Sequence, residues 1–368
     1  MNTHKVRWGI LGTAQIARKN WQAIGLSGNA TIVAVAGRDA ERTRRFVTEC
    51  QAQAPMETAP EVFTGYEKLL ASDAVEAVYI PLPTGLRKEW VLRAAAAGKH
   101  IVCEKPCAVS VADLEEMLSA CRRHGVQFMD GVMFMHSRRL EVMREALDDG
   151  RSVGQLRHLA CTFSFCAPPE FFPNNIRTHS GLEPHGCAGD LGWYCIRLAL
   201  WAMKWQLPRQ VIGRVLADFR REPSLAPIPT EFAATLLFEG GVSASCYCSF
   251  LAENAQWANF SGARGALQVN DFVLPFAGHE VGFEVRKAEF HAQGCNFEMK
   301  PSALRFVVLE HSHSHPTAQE SSLFHNFSNQ IRAGALNSLW PEMALKTQAV
   351  MAACLESARQ EGRPVAMH

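Results

Sequence analysis

The sequence predicts an α/β architecture, a doubly wound parallel sheet followed by an α+β region built on an open antiparallel sheet, and three observations carry it. Short apolar runs alternate with helical spacing up to about residue 131; the first run leads straight into a glycine turn and a helix; and beyond that point longer strands follow one another through short turns. Strands apolar on both faces need helices on each side and crossover connections, whereas strands joined by tight turns pair antiparallel. The division expected is a first domain over 1–131 and a second over 132–368.

Taken in order, Val6–Leu11, 31–36, 74–82, 99–103 and 126–131 read as strands. Between them, 14–25, 39–53, 85–97 and 110–124 have helical spacing. Asp39 and Ser110 are placed to cap two of these helices, because a short side-chain oxygen can accept from the free N–H groups of the first turn. Gly98 and Gly125 are placed to stop the last two, where the chain must turn left-handed. A helix over 140–149 leads to an extended stretch at 155–166, a loop rich in Pro, Asn and aromatics at 168–184, and a long helix over 189–204. Gln210–Phe219, 231–238, 242–251, 257–261 and 266–270 then read as successive strands, with Gly240-Gly241 as a hairpin turn. A final helix over 342–360 opens after Pro341 and closes before Gly362.

The composition is globular: 368 residues, 48% apolar and 20% charged, enough chain for a large core without disulfide or metal staples. Lys and Arg number 37 against 36 Asp and Glu, so no broad field draws in nucleic acid or anionic lipid. No apolar run approaches the roughly 18 residues of a membrane span, and no signal-peptide pattern precedes the first strand, so a cytoplasmic protein is expected. The twelve cysteines form no C-x-x-C pair and are expected to be small buried apolar residues for the most part.

The chemistry starts at Gly12-Thr13-Ala14-Gln15-Ile16-Ala17, a strand-to-helix turn in which Ala14 replaces the second glycine of G-x-G-x-x-G/A. Such a turn lets backbone N–H groups and the positive helix end meet a pyrophosphate. The second strand ends at Gly37-Arg38-Asp39. An Arg there suits the 2′-phosphate of NADP, so NADP is expected in preference to NAD, with Asp39 serving as the helix cap. At the end of a later strand stands Glu104-Lys105-Pro106. Lys105 is a candidate donor to a reacting oxygen, with Glu104 placed to hold its ammonium group.

These motifs, together with Gly189-Asp190-Leu191-Gly192-Trp193-Tyr194, resemble the glucose–fructose oxidoreductase/inositol dehydrogenase/rhizopine catabolism (Gfo/Idh/MocA) family over nearly the whole chain. The resemblance implies a Rossmann first domain and a second domain on an open antiparallel sheet, with a final helix packing back on the first. It also implies NAD(P)-linked hydride transfer at a hydroxyl or carbonyl of a sugar, cyclitol or diol. Lys105, Asp190 and Tyr194 match the family's catalytic positions, and residues four apart on one helix would point together. Pro81 and Pro83 join Gly12, Thr13, Ala14, Gln15, Ile16, Gly37, Arg38, Glu104 and Lys105 as expected cofactor contacts.

His136, Arg138, Asn175, Arg177 and His185 lie in segments expected to border the substrate. The expected partners are a polyhydroxylated small molecule and further copies of the chain, as a homodimer or homotetramer through the second sheet. The rival readings are an NAD-dependent glycosidase with transient oxidation and a non-catalytic NAD(P)-binding sensor. Two other features are expected to be structural: Glu310-His311-Ser312-His313-Ser314-His315 as a solvated turn with no metal, and Trp201 and Trp205 as packing residues.

Overall fold

The computed structural model describes residues 4–222 and 226–367. Its first part contains β1 (Val6–Leu11), α1 (Gln15–Leu26), β2 (Ala30–Gly37), α2 (Ala40–Gln53), β3 (Glu61–Thr64), α3 (Tyr66–Leu70), β4 (Ala77–Ile80), α4 (Thr84–Ala96), β5 (His100–Cys103), α5 (Val111–Arg123) and β6 (Phe128–Asp130). The six strands pair in parallel in the order β3-β2-β1-β4-β5-β6. That order reverses between β1 and β4, which opens a crevice at their carboxyl ends. Asp39 caps α2 by accepting from Arg42 N at 2.8 Å, and Ser110 caps α5 by accepting from Asp113 N at 3.1 Å. Gly98 and Gly125 take φ of +70° and +64°, as stops require. The short edge strand β3 and helix α3 went unread in the sequence.

The second part runs α6 (Arg139–Asp148), β7 (Leu156–Ser164), α7 (Phe171–Asn174), α8 (Gly186–Asp190), α9 (Gly192–Ala202), β8 (Gln210–Phe219), β9 (Ile228–Leu237), β10 (Ser243–Ser249), β11 (Ala258–Gly262), β12 (Ala266–Val269), β13 (Val281–Gln293), β14 (Asn296–Val308), α10 (Gln319–Arg332), α11 (Leu339–Arg359) and β15 (Val365–Ala366). Nine of its strands form one sheet, β14-β13-β12-β11-β7-β10-β9-β8-β15. The sheet is antiparallel except where β10 lies parallel to β7. The expected helix over 189–204 is two helices, α8 and α9, broken at Leu191. The β13–β14 hairpin and α10 are further elements the sequence reading omitted.

Two apolar cores join the parts. Trp8 of β1 packs edge-on against Phe324 of α10 at 5.2 Å, close to Phe327 at 5.5 Å, and its indole N–H donates to Ser328 Oγ at 3.2 Å. A helix from the far end of the chain therefore closes one face of the parallel sheet. Helix α11 lies against α5 and β6 on one side and against α9 and β8 on the other. Between them the buried Asp130 at the end of β6 accepts from Arg197 and from the indole of Trp193, both on α9. Arg197 also donates to Thr347 Oγ1 of α11 at 2.7 Å. No helix among the described residues is long and apolar enough to cross a membrane.

Ten of the twelve cysteines are buried, and all twelve are free thiols. Trp201 packs on Phe260 and under Arg144, and Trp205 lies near Arg197, so both indoles serve packing. In the turn at 311–315, His311 and His315 stack at 3.7 Å, and no metal-ligating group of three converges among the described residues.

Candidate active site

The turn after β1 stands at the crevice. Gly12 takes φ +106°, and a Cβ there would sit 3.1 Å from Leu82 Cδ2, so the backbone demands glycine. Its N–H donates to Ala36 O at 2.8 Å, which ties the turn to β2. Ala14 caps α1 with no side-chain acceptor, and the first turn holds no acidic residue, so the leading N–H groups and the positive helix end stay open to an anion.

Thr13, Ala14, Gln15 and Ile16 line a cleft of about 1820 Å³, together with Pro81, Glu104 and Lys105. One drug-sized ligand takes roughly 300–1,000 Å³, so a dinucleotide and a second ligand fit together. Gly12, Gly37, Arg38 and Pro83 are not on the cleft wall. Gly37 is buried behind it, where a Cβ would collide with Thr43 Oγ1, and Pro83 leads into α4. Arg38 is exposed, while Arg42, one turn into α2, does line the cleft. Burial raises the Tyr66 phenol's pKa, and the Arg38 and Arg42 charges pull it back.

Asp190, 85 positions further along the chain, meets Lys105 on the other side of the cleft. Lys105 Nζ donates to Asp190 Oδ1 at 2.9 Å and to the Asp190 carbonyl at 2.7 Å, and it lies 4.6 Å from the centroid of the Tyr194 ring. Arg177 Nε donates to the other carboxylate oxygen at 2.7 Å. Burial alone would raise the Asp190 carboxyl, but the Arg177 and Lys105 charges outweigh it and hold the pKa at about 2. The Tyr194 phenol is pushed well above its ordinary value, first by burial and then by the Glu104 and Asp190 charges, so it stays protonated.

Their spacing predicts one shared helix for Asp190 and Tyr194, but the structure has two: α8 ends at the first and α9 carries the second. Gly189 permits the meeting with Lys105, since a Cβ there would lie 2.6 Å from His185 Cβ and 3.1 Å from Pro106 Cγ. Glu104 does not hold the Lys105 ammonium. It accepts from Tyr79 Oη at 2.6 Å, and Asn20 Nδ2 donates to the same Tyr79 oxygen at 2.6 Å.

Of the five residues expected to border the substrate, Asn175 and Arg177 line the cleft, whereas His136, Arg138 and His185 do not. His136 lies in a short turn facing α10 and α11, with Nδ1 3.1 Å from Asn326 Nδ2 and its ring near Trp340. The Arg138 side chain is exposed while its N–H donates to the buried Glu310 at 2.8 Å. His185 is turned under α8 towards the Ala108 carbonyl, and burial brings its pKa down to about 4.

Sequence reading missed the groups that brace the cleft. Buried Arg87 donates to Leu82 O at 2.6 Å, to Thr84 Oγ1 at 2.9 Å and to Pro106 O, gathering three wall segments. Glu183 accepts from Thr84 N at 3.0 Å and Thr84 Oγ1 at 2.6 Å, which docks the 168–184 loop on α4. Glu320, Leu323 and Phe324 of α10 complete the wall, and Glu320 pairs with Lys19. The apolar spacing of Leu323, Phe324, Phe327 and Ile331 was the signal for α10.

Two family models match the chain: an oxidoreductase family with an NAD-binding Rossmann fold over residues 6–132, and the GFO/IDH/MocA C-terminal domain over residues 140–268. Among curated relatives, a dTDP-3,4-didehydro-2,6-dideoxy-alpha-D-glucose 3-reductase of Streptomyces antibioticus is 31% identical over 335 residues, covering 91% of each chain. A trans-1,2-dihydrobenzene-1,2-diol dehydrogenase of Mus musculus is 28% identical over 274 residues, 73% of this chain and 76% of that one. Among solved structures, a 3-ketoreductase from Actinomadura kijaniata in complex with NADP and TDP-benzene superposes with a TM-score of 0.79 at 24% identity, covering 96% of this chain and 98% of the other. That likeness speaks for the fold.

Proposed function

The chain belongs to the Gfo/Idh/MocA oxidoreductase family, and from that premise we propose that it is an NADP-preferring enzyme transferring hydride between nicotinamide and a hydroxyl or carbonyl carbon of a sugar, cyclitol or diol. The observation that carries this reading is the Lys105–Asp190–Tyr194 cluster facing the same cleft as the open N-terminus of α1. NADP supplies the hydride acceptor or donor. Thr13, Ala14, Gln15 and Ile16, on the turn that Gly12 shapes, would hold its pyrophosphate, Pro81 and Glu104 would stand at the nicotinamide end, and Arg42, with the exposed Arg38 beside the same strand end, would hold the 2′-phosphate.

The chain's own groups handle the proton. In the reductive direction the protonated Tyr194 hydroxyl donates to the carbonyl oxygen, and Lys105 stabilises negative charge developing there. Asp190 fixes the ammonium through both its carboxylate and its carbonyl, and Arg177 keeps that carboxylate ionised. Oxidation reverses these roles. Asn175 and the guanidinium edge of Arg177 that Asp190 leaves free meet substrate hydroxyls. The relatives' names, a sugar 3-reductase and a diol dehydrogenase, support this substrate class.

The experiment is a titration of the purified chain with NADP and NAD, followed by nicotinamide absorbance with a panel of sugars, cyclitols and diols. Tighter NADP binding and a net absorbance change are expected. Equal or better NAD binding contradicts the role of Arg38, and no net change with any compound contradicts the dehydrogenase reading. For assembly, a homo-oligomer through the second sheet is supported by exposed Phe290, Phe297, Met299 and Leu304 on the β13–β14 hairpin. Light scattering on the eluting protein reads the number of copies.

A further inference from the structure

Part of the cleft wall comes from the second sheet, where Phe163 of β7 packs on the Tyr194 ring at 5.5 Å and Thr162 N donates to Trp257 O at 2.9 Å, and three large apolar side chains on it stand in water: Trp257 is 37% exposed, Leu274 43% and Phe276 63%. A loop free to relax would fold such groups inward. This loop is clamped twice. The Gln256 side-chain amide accepts from Leu274 N and donates to Leu274 O, both at 2.6 Å. Phe276 N donates to Asp271 Oδ2 at 2.8 Å, and Asp271 is itself held by buried Arg139, which donates to Oδ1 at 2.5 Å and to the Asp271 carbonyl at 2.8 Å. A buried ion pair thus holds an exposed aromatic ring at the mouth of the cleft.

Charge at this end runs against an anionic ligand. Of the cations that α1 and α2 bring to the cleft, Arg18 and Arg45 are both bound to Glu49 and Lys19 to Glu320, which leaves Arg42 for the cofactor phosphate. At the Asp190 end, Lys105 and Arg177 are both already bound to a carboxylate. Glu253, exposed on the same wall, has no ion-pair partner among the described residues. A diphosphate placed there would meet carboxylates in place of free cations.

We propose that the substrate is an uncharged glycoside, its reacting sugar ring at Lys105, Asp190 and Tyr194 and its apolar aglycone ring against Trp257, Leu274 and Phe276. The proposal rests on the hydride-transfer reading above. In the oxidative direction the carbinol C–H bond breaks, its electron pair and hydrogen pass to NADP, and the O–H proton leaves past Tyr194 and Lys105 to solvent. The products are a keto-glycoside and NADPH, with the glycosidic bond intact.

The test measures NADP reduction by phenyl glycosides of glucose, galactose and mannose, by the matched free hexoses and by dTDP-glucose, in the wild type and in Phe276→Ala. The best phenyl glycoside is expected to exceed its free hexose about tenfold in kcat/KM, the scale of a modest apolar contact, and Phe276→Ala is expected to remove most of that ratio. Preference for the free hexose or for dTDP-glucose, or a ratio untouched by Phe276→Ala, overturns the proposal. Calorimetric binding of the phenyl glycosides to the NADP complex separates the two levels of failure. Binding that weakens about tenfold in Phe276→Ala without NADP reduction contradicts hydride transfer alone. Turnover without a phenyl preference contradicts the glycoside assignment alone, and neither binding nor turnover contradicts both.

Discussion

Lys105 and Asp190 are joined twice, Nζ donating at 2.9 Å to the carboxylate and at 2.7 Å to the carbonyl of the same residue. The main-chain contact fixes the ammonium against the end of α8, so the position of the amine is set by the fold as well as by charge. The Tyr194 ring then lies under it at 4.6 Å.

Lys105→Met is expected to lower kcat by about three orders of magnitude or more, since a charge aimed at the reacting oxygen is lost. NADP affinity should stay within about threefold, because the proposed phosphate contacts belong to the turn at the start of α1 and to Arg38 and Arg42. Tyr194→Phe is expected to lower kcat by about 10²–10⁴-fold, the usual weight of a positioned proton donor. Steady-state kinetics and a nucleotide titration check both.

The pH profile follows from Asp190. Its carboxyl is held at about 2 by Arg177 and Lys105 against burial, so the ion pair persists until the pH falls through that value. Arg177→Gln removes the largest stabilising charge and raises this pKa. The acid limb of kcat/KM is expected to move to higher pH, and an unmoved limb would show that Asp190 ionisation does not govern activity.

Arg197→Met strands Asp130, a buried carboxylate whose partners are Arg197 and the Trp193 indole. A loss of about 3–5 kcal/mol in unfolding free energy is expected, as for other broken buried pairs, with urea melts as the measurement.

Much of this was legible in the chain. Caps and stops at Asp39, Ser110, Gly98 and Gly125 are local, so they read directly. Lys105 and Asp190 were legible through their motifs, although the break at Leu191 was not, because the stretch over 189–204 carries no Pro to mark it. Strand β3 is short, half-exposed and at an edge, which leaves little period-two signal. The β13–β14 hairpin is exposed on both faces over most of its length, so it shows no alternation. His136, Arg138 and His185 were misplaced because nearness along the chain to a cleft segment says nothing about which way a turn faces. Trp257, Leu274 and Phe276 come to one cleft wall only through tertiary structure, with the Gln256 side chain clamping the Leu274 main chain.

In the proposed complex, cofactor choice would rest on Arg38 and Arg42. The double variant Arg38→Ala with Arg42→Ala is expected to weaken NADP about 10²–10⁴-fold while leaving NAD little changed, since phosphate-bound guanidinium groups contribute about 1.5–3 kcal/mol each. Equilibrium titration of both nucleotides reads the ratio.

The most direct measurement is a crystal structure of the NADP complex with a bound polyol. The nicotinamide C4 is expected between Glu104 and Tyr194, with a substrate carbon about 3–3.5 Å away and its oxygen within hydrogen-bond reach of Lys105 or Tyr194. A nicotinamide ring turned out of that gap, or a polyol seated away from Lys105, would contradict it.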